Sequence, residues 1–268
     1  MKSFSVSLVI STYNRPDMLR LCLQAVLAQT ILPDEIVIAD DGSGPATKQL
    51  VDEFAANSPV PFVHVWQPDD GFQLAAIRNK SFAKASGDYI IQTDGDIILH
   101  RHFIKDHIRM AKKNTCISGA RSLLDAAFSS TVIQQQQYRQ PSFFSSHLGK
   151  RFNAFRNFLL MQLNYFIQRG SKQYKYVLGA NMAFWKSDLV KVNGYNEAFK
   201  GWGKEDNDLA ARLCNAGIKL RFIKFGAVVF HLYHAEAIRG NLATNENLLQ
   251  QTVDNKITFV LSGISGHY

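Results

Sequence analysis

Two rhythms alternate along the first 120 residues. Val6 to Ser11 (VSLVIS) is a short apolar run that reads as a buried strand, while Asp17 to Ala28 places apolar residues at Leu19, Cys22, Leu23, Val26 and Leu27, the spacing of an amphipathic helix. The exchange repeats with a strand at Glu35 to Ala39 (EIVIA), a helix over Ala46 to Ala56, a strand at Phe62 to Trp66, a helix over Leu74 to Ala85 and a strand at Tyr89 to Thr93 (YIIQT). Gly87 is expected to close the helix over 74–85 in a left-handed conformation. Strand and helix in strict alternation predict right-handed crossovers, hence an α/β fold whose mostly parallel central sheet is flanked by helices.

Beyond residue 120 the rhythm breaks. Leu148, Phe152, Phe155, Leu159, Leu163 and Phe166 fall at helical spacing and predict one basic, aromatic helix around residues 148–169. A strand is expected within Val177 to Trp185, a helix over Lys204 to Ala216, and a last apolar strand from Leu220 to Tyr233. Residues 236–268 read as an appended helix and tail. The organisation expected is one domain over 1–235, made of a first half (1–120), a helical insertion (121–176) and a second half (177–235).

Composition narrows the class. With 46% apolar and 12% aromatic residues over 268 positions, the chain is neither a disordered tail, a collagen-like chain nor a disulfide miniprotein. Cys22, Cys116 and Cys214 stand singly, without Cys-x-x-Cys or zinc-like spacing, so a reducing compartment is expected and a thiolate metal site is not. The amino terminus is too weakly apolar for a signal peptide, and no run of 18 apolar residues occurs. A cytoplasmic protein is expected, at most peripheral to the inner face of a membrane.

Charge changes the picture more than its total of +8 suggests. From Ala126 to Ser187 there is no Asp or Glu, yet Arg139, Lys150, Arg151, Arg156, Arg169, Lys172, Lys175 and Lys186 all fall there. The remaining 22 basic residues are matched by 22 acidic ones, so the excess belongs to one segment, which should face something anionic.

Ligands of open parallel sheets bind beyond the carboxyl ends of strands, and here those places are acidic. Asp40, Asp41, Gly42 and Ser43 follow the second strand; Asp94, Gly95 and Asp96 follow the fourth. Carboxylates two apart with a glycine between them can hold a hard divalent cation that keeps positions open for phosphate oxygens. Either cluster alone also reads as a surface turn; two at strand ends of one sheet point to a nucleotide and metal site. After the first strand, Thr12, Tyr13 and Arg15 precede Pro16 at a helix start, where an aromatic can stack on a base and Arg can bind a diphosphate. Neither Gly-x-Gly-x-x-Gly nor Gly-x-x-x-x-Gly-Lys-Ser/Thr occurs, which argues against a dinucleotide cofactor and a P-loop ATPase.

A further cluster runs Gly201, Trp202, Gly203, Lys204, Glu205, Asp206, Asn207, Asp208 into a helix. The helix dipole accounts for acids at that position, but not for a tryptophan between two glycines. Such a residue suits stacking on a sugar ring whose hydroxyls donate to the neighbouring carboxylates. His231 and His234 end the last strand; strand histidines are commonly structural, and the spacing leaves open which of them, if either, meets a metal.

The stretches SLVISTYNR, EIVIADDGS, GFQLAAIRNKSFAKASGDYIIQTDGD and GANMAFWKSDLVKVNGYNEAFKGWGKEDNDLAARL together resemble inverting family 2 glycosyltransferases of the Rossmann-like GT-A fold. The last stretch is similar to the galactosyltransferase-type acceptor module shared with chondroitin-synthesising enzymes and β-1,4-galactosyltransferases. The resemblance covers residues 5–100 and 177–234. It implies that Thr12, Tyr13, Arg15 and Asp41 hold the uridine and its phosphates with support from Arg78, that Asp94 with Gly95 contacts the ribose or the metal shell, and that Asp96 and His231 ligate Mn²⁺ or Mg²⁺. By the same likeness Trp202 and Glu205 bind the acceptor sugar and Asp206 is the base. The activity implied is transfer of a hexose or N-acetylhexosamine from a UDP-sugar to a hydroxyl of a saccharide or lipid-linked saccharide, in bacterial polysaccharide or lipid-linked glycan synthesis.

Residues 122–176 have no counterpart in that likeness. Their basic, aromatic helix would lie on an anionic membrane or against a lipid diphosphate-linked acceptor through 139–175, or would pack its Phe/Leu stripe on the domain or form a homodimer contact. Two other classes compete with the main reading. A sugar-phosphate nucleotidyltransferase would need a glycine-rich basic loop where STYNRPD stands. A nucleic-acid-binding scaffold is permitted by Tyr138, Phe152, Phe155 and Tyr174 among the basic residues, although no nucleic-acid partner is expected.

Overall fold

The computed structural model describes residues 3–168, 173–235 and 240–268. Seven strands form the central sheet: Val6–Thr12 (β1), Glu35–Asp40 (β2), Phe62–Trp66 (β3), Tyr89–Asp94 (β4), Thr115–Gly119 (β6), Asn181–Trp185 (β9) and Lys219–Ile223 (β10), in the order β10-β6-β9-β4-β1-β2-β3. Among them only β9 is antiparallel, wedged between β4 and β6. The first-half strands and helices fall within a residue or so of the expected spans. The mostly parallel sheet predicted by strand-helix alternation is therefore present.

Helices cover both faces, which is why β1 and β2 are buried along their whole length and read as apolar runs, broken only by small hydroxyl residues in β1 and by the acids at the two ends of β2. Pro16–Leu27 (α1) packs on one face with Phe103–Met110 (α4); Leu74–Lys84 (α3), Lys186–Val192 (α7) and Glu205–Asn215 (α8) cover the other. Pro45–Ala56 (α2) packs beside α1. A smaller sheet joins Ile97–Leu99 (β5), Val229–His231 (β11), Ser122–Leu124 (β7) and Leu148–Gly149 (β8) in the order β5-β11-β7-β8. Because β5 begins directly after Asp96 and His231 pairs with Ile97, this sheet carries the late histidines back to the early acids.

Three expectations are corrected. Gly87 is not left-handed: α3 ends at Lys84, Ala85 is already extended, and Gly87 N–H donates to Ser7 Oγ at 2.8 Å in a gap that a Cβ would overfill. Glycine is needed there for close approach. The apolar span 220–233 is two strands in two sheets, because Phe225 and Ala227 adopt left-handed φ values of 62° and 47° and turn the chain.

The third correction concerns the helix expected over 148–169, of which residue 169 lies outside the described residues: residues 148–168 hold β8, a short 3₁₀ turn at Arg151–Ala154 and a helix, Phe158–Ile167 (α6). The chain is extended at Phe155 and Asn157 so that Arg156 between them can bind the fully buried Asp106 through two bonds of 2.8 and 2.6 Å. Of the six residues expected to form one stripe, only Leu148 is buried; Met161 and Tyr165 pack inward instead. Ala126–Gln135 (α5) precedes this region, and Leu242–Asp254 (α9) packs on α8. The proposed tail begins at residues 236–239, which lie outside the described residues. Among those described, no helix is long and apolar enough to cross a membrane.

Candidate active site

Three strand ends meet through backbone bonds: Asp41 N–H donates to Thr12 O at 3.0 Å and Gly95 N–H to Ser11 O at 2.8 Å. Asp40, fully buried, shapes the turn by accepting from Ser43 N–H and from His64. Asp41, next to it, is buried at 4% exposure and faces Gln67 and Gln73. Its carboxylate accepts from the Gln73 backbone N–H at 2.9 Å and from the Gln67 side chain, and burial raises its pKa. Tyr13 is exposed and donates its hydroxyl to Asp69 at 2.8 Å. Arg15 turns the other way, with Nη1 3.9 Å from Asp96 Oδ2.

At the centre lies Arg78, carried inward by α3 to 1% exposure. Its Nη2 donates to Asp94 Oδ1 at 3.0 Å, its Nη1 donates to Asp206 Oδ1 at 2.8 Å and lies 3.6 Å from Glu205 Oε1, and its Nε donates to Ser11 Oγ at 3.2 Å. One guanidinium thus joins the end of β4 to the first turn of α8. The Tyr195 hydroxyl lies 2.7 Å from Asp206 Oδ1 and 3.0 Å from Gln92 Oε1, with its ring under the guanidinium. Gly179 makes room for this arrangement, since a Cβ there would overlap the Asp206 carboxylate.

Three acids around one base cannot all be neutralised by it. Burial, reinforced by Asp206 and opposed by Arg78, pushes Glu205 up to about 8, so it holds a proton at neutral pH. Burial likewise moves Asp94 up to about 6 against the pull of Arg78. Glu205 Oε2 is buried without a hydrogen-bond partner. Sequence reasoning placed Arg78 against the nucleotide and passed over Tyr195, Gln92 and Gly179. The signal was available in a lone Arg inside LAAIRNKSF, a helix whose Asn79 is buried as well.

Asp96, His231 and His234 offer ligand atoms all within 4.8 Å of one another. His231 Nε2 is 3.7 Å from Asp96 Oδ1, and His234 Nε2 is 2.8 Å from Asp96 Oδ2. Neither Asp96 Oδ1 nor His234 Nε2 completes a hydrogen bond of good geometry, and His234 Nδ1 faces its neighbour's carbonyl, Ala235 O, at 2.7 Å. That contact places the proton on Nδ1 and leaves the Nε2 lone pair turned toward a carboxylate. Two electron-rich atoms so close need a positive charge between them, either a second proton on the ring or a metal ion. The donor set of one carboxylate and two imidazoles fits Mn²⁺ and also accommodates Mg²⁺ through the carboxylate. Burial would raise Asp96, but His234, His231 and Arg15 outweigh it and hold the carboxyl below its usual range.

Trp202, 38% exposed, stands on a loop with left-handed backbone at Gly201, Gly203 and Lys204. Gly201 N–H donates to Phe72 O at 3.1 Å, and Lys200 Nζ donates to Gln73 Oε1 at 2.6 Å, the same Gln73 whose backbone holds Asp41. From α9, the buried Asn245 amide donates to Lys200 O at 3.1 Å and Gly203 O at 2.9 Å, clasping the loop on both sides of Trp202.

Acids and histidines thus gather beyond the strand ends of a mostly parallel α/β sheet, and the loop bearing Trp202 is tied to Gln73, which holds Asp41. Residues 7–175 match the model described as glycosyl transferase family 2, and the chain belongs to that family; residues 167–235 match the model described as the N-terminal domain of galactosyltransferase. Chondroitin synthase of Escherichia coli is 26% identical over 95% of this chain and 38% of its own length, and chondroitin synthase of Pasteurella multocida is 26% identical over 86% and 25%. The chain thus spans less than two fifths of these relatives. Among solved structures, S. aureus TarS 1–349 superposes with a TM-score of 0.64 at 13% identity, covering 98% of this chain and 68% of that one. A mannosyltransferase from Pyrobaculum calidifontis in complex with GDP-Man and Mn²⁺ gives 0.59 at 14% identity, covering 95% and 72%. Both likenesses show the fold. Family membership displaces the nucleotidyltransferase and nucleic-acid-scaffold readings.

Proposed function

We propose that this glycosyltransferase moves a hexose or N-acetylhexosamine from a UDP-sugar to a hydroxyl of a saccharide acceptor, with inversion at the anomeric carbon and the help of a divalent cation, in the building of a bacterial polysaccharide or lipid-linked glycan. The observation that carries the reading is the Arg78 bridge, which brings the acid at the end of β4 within one guanidinium of Asp206. The chondroitin synthase relatives and a TarS structure in complex with UDP support a UDP donor and a saccharide acceptor.

Thr12, Tyr13 and Asp41 hold the nucleoside, with Arg15 and Gly95 beside the diphosphate. Asp96, His231 and His234 would hold the cation, which when bound offsets charge gathering on the departing diphosphate. Trp202 stacks on the acceptor ring and Glu205 donates its proton in a hydrogen bond to it. The acceptor oxygen forms its bond to the anomeric carbon as the bond to the diphosphate breaks; the electron pair leaves with the diphosphate and the hydroxyl proton passes to Asp206. Arg78 and Tyr195 both engage Asp206 Oδ1, which leaves Oδ2 to receive that proton, a contribution of roughly 10²- to 10⁴-fold. Holding both sugars in one cleft supplies a further share.

A panel of nucleotide sugars with and without Mn²⁺ tests the reading. Metal-dependent release of UDP from one donor, abolished by Asp96→Ala, is expected. Release that ignores both the metal and Asp96 would remove it.

A further inference from the structure

Away from the catalytic cleft, a cavity of about 350 Å³ opens at the amino-terminal ends of β6 and β10, lined by Lys112, Lys113, Lys191, Lys219 and Arg221. No carboxylate lines it. Asp188, close enough to feel Lys191 and Lys113, is buried beneath. Five cations around one cavity repel one another and are relieved by an anion.

Arg221 links the wall of the cavity to α6: its Nη1 donates to Tyr165 O at 2.5 Å and its guanidinium lies 4.5 Å from the Tyr165 ring centre. Gln168 fastens the end of α6 to β10 by a reciprocal amide pair with Phe222, N–H to Oε1 at 2.9 Å and Nε2–H to carbonyl at 2.7 Å. The helix is therefore held firmly by Met161, Tyr165 and Gln168. Its outer face nonetheless carries Leu159 at 73% exposure, Leu163 at 57%, Phe166 at 70% and Ile167 at 68%, with Phe152 at 81% just before it. Leu, Leu and Phe at i, i+4 and i+7 make a single apolar face, which is costly to leave in water. Exposed basic residues accompany it: Lys150, Arg151 and Lys175, in a stretch of chain that lacks any acid from 126 to 187.

We propose that this surface docks on an anionic lipid bilayer, the outer face of α6 lying among the acyl chains at the interface and the cationic cavity taking lipid headgroup phosphates. A ten-residue helix is too short to span a bilayer, but an apolar face flanked by bases is the form that lies in its plane. Charge complementarity selects the bilayer over a second copy of this chain, whose matching surface would bring the same positive charges together. The cavity is at the opposite end of the parallel strands from Asp94, so docking leaves the catalytic cleft open. The inference stands apart from the sugar-transfer reading and can fail without it.

Co-sedimentation of the whole chain with phosphatidylcholine vesicles, with and without phosphatidylglycerol, tests it. Binding only to the anionic vesicles is expected, weakened at least about tenfold by Lys112→Glu with Lys219→Glu and likewise by Leu163→Gln with Phe166→Gln. Donor hydrolysis in solution should be unchanged in both variants, which reports that they remain folded. No binding by the wild type, binding indifferent to either pair, RNA that displaces the chain from anionic vesicles, or a dimer in sedimentation velocity that Leu163→Gln dissolves would each overturn the proposal.

Discussion

The first turn of α8 carries two ion pairs that look alike on paper and differ in balance. Asp208 and Arg212 are fully buried, 2.8 Å apart, and their opposite charges match: Thr252 Oγ1 donates to Asp208 at 2.6 Å and Arg212 donates to Val192 O at 2.8 Å, although Arg212 Nη2 has no hydrogen-bond partner among the described residues. One acid faces one base, and Thr252 fastens α9 to α8. Two residues earlier, Asp206 shares Arg78 with Asp94 and Glu205, at the edge of solvent. A balanced, sealed pair fixes architecture; three acids around one base leave a demand for protons and cations, which is what a site handling a diphosphate and a hydroxyl proton requires.

The contrast can be broken from either side. Asp206→Asn should lower transfer by roughly 10²- to 10⁴-fold while UDP affinity, measured by calorimetry, stays within about twofold. Undiminished transfer would take Asp206 out of its role. Arg212→Met should do the reverse: about 3–5 kcal/mol of stability is lost, read from denaturant unfolding, because Asp208 is left buried and alone, while kcat per folded molecule is kept.

Glu205 sharpens the comparison through pH. Its folded pKa near 8 exceeds its ordinary 4.5, so between these values the native state holds a proton that the unfolded chain has released. Stability should therefore fall as pH rises through this window, and Glu205→Gln should flatten the fall in thermal unfolding profiles. A wild-type profile already flat there would contradict the assignment. The smallest effect expected is that of Asn245→Ala, which removes two loop-clasping bonds worth about 1 kcal/mol each and should raise acceptor KM about fivefold without altering donor hydrolysis.

The first half was legible because β1 and β2 are buried on both faces, so VSLVIS is interrupted only by small serines and EIVIA only by its leading Glu35, and its helices keep a wet side. The small sheet was not. Strands of two or three residues such as β7 and β8 fall below any period, and its assembly depends on left-handed turns at Phe225 and Ala227 that neither residue type announces. Around α6 the apolar spacing predicts one helix, but Arg156 breaks it to reach Asp106, and every residue of the expected stripe except Leu148 faces outward. At the site, acids and Trp202 stood out by type and position. Arg78 was named only through the resemblance; its part as a buried bridge shows once the fold brings Asp94 and Asp206 to either side of it.

Crystals grown with Mn²⁺ and UDP give the most direct test, through the anomalous scattering of manganese. The account predicts one peak among Asp96, His231 and His234, with the diphosphate beside it on the Arg15 side and the Arg78 carboxylates facing the remaining space. A peak elsewhere, or UDP bound away from Asp94 and Asp96, would contradict it.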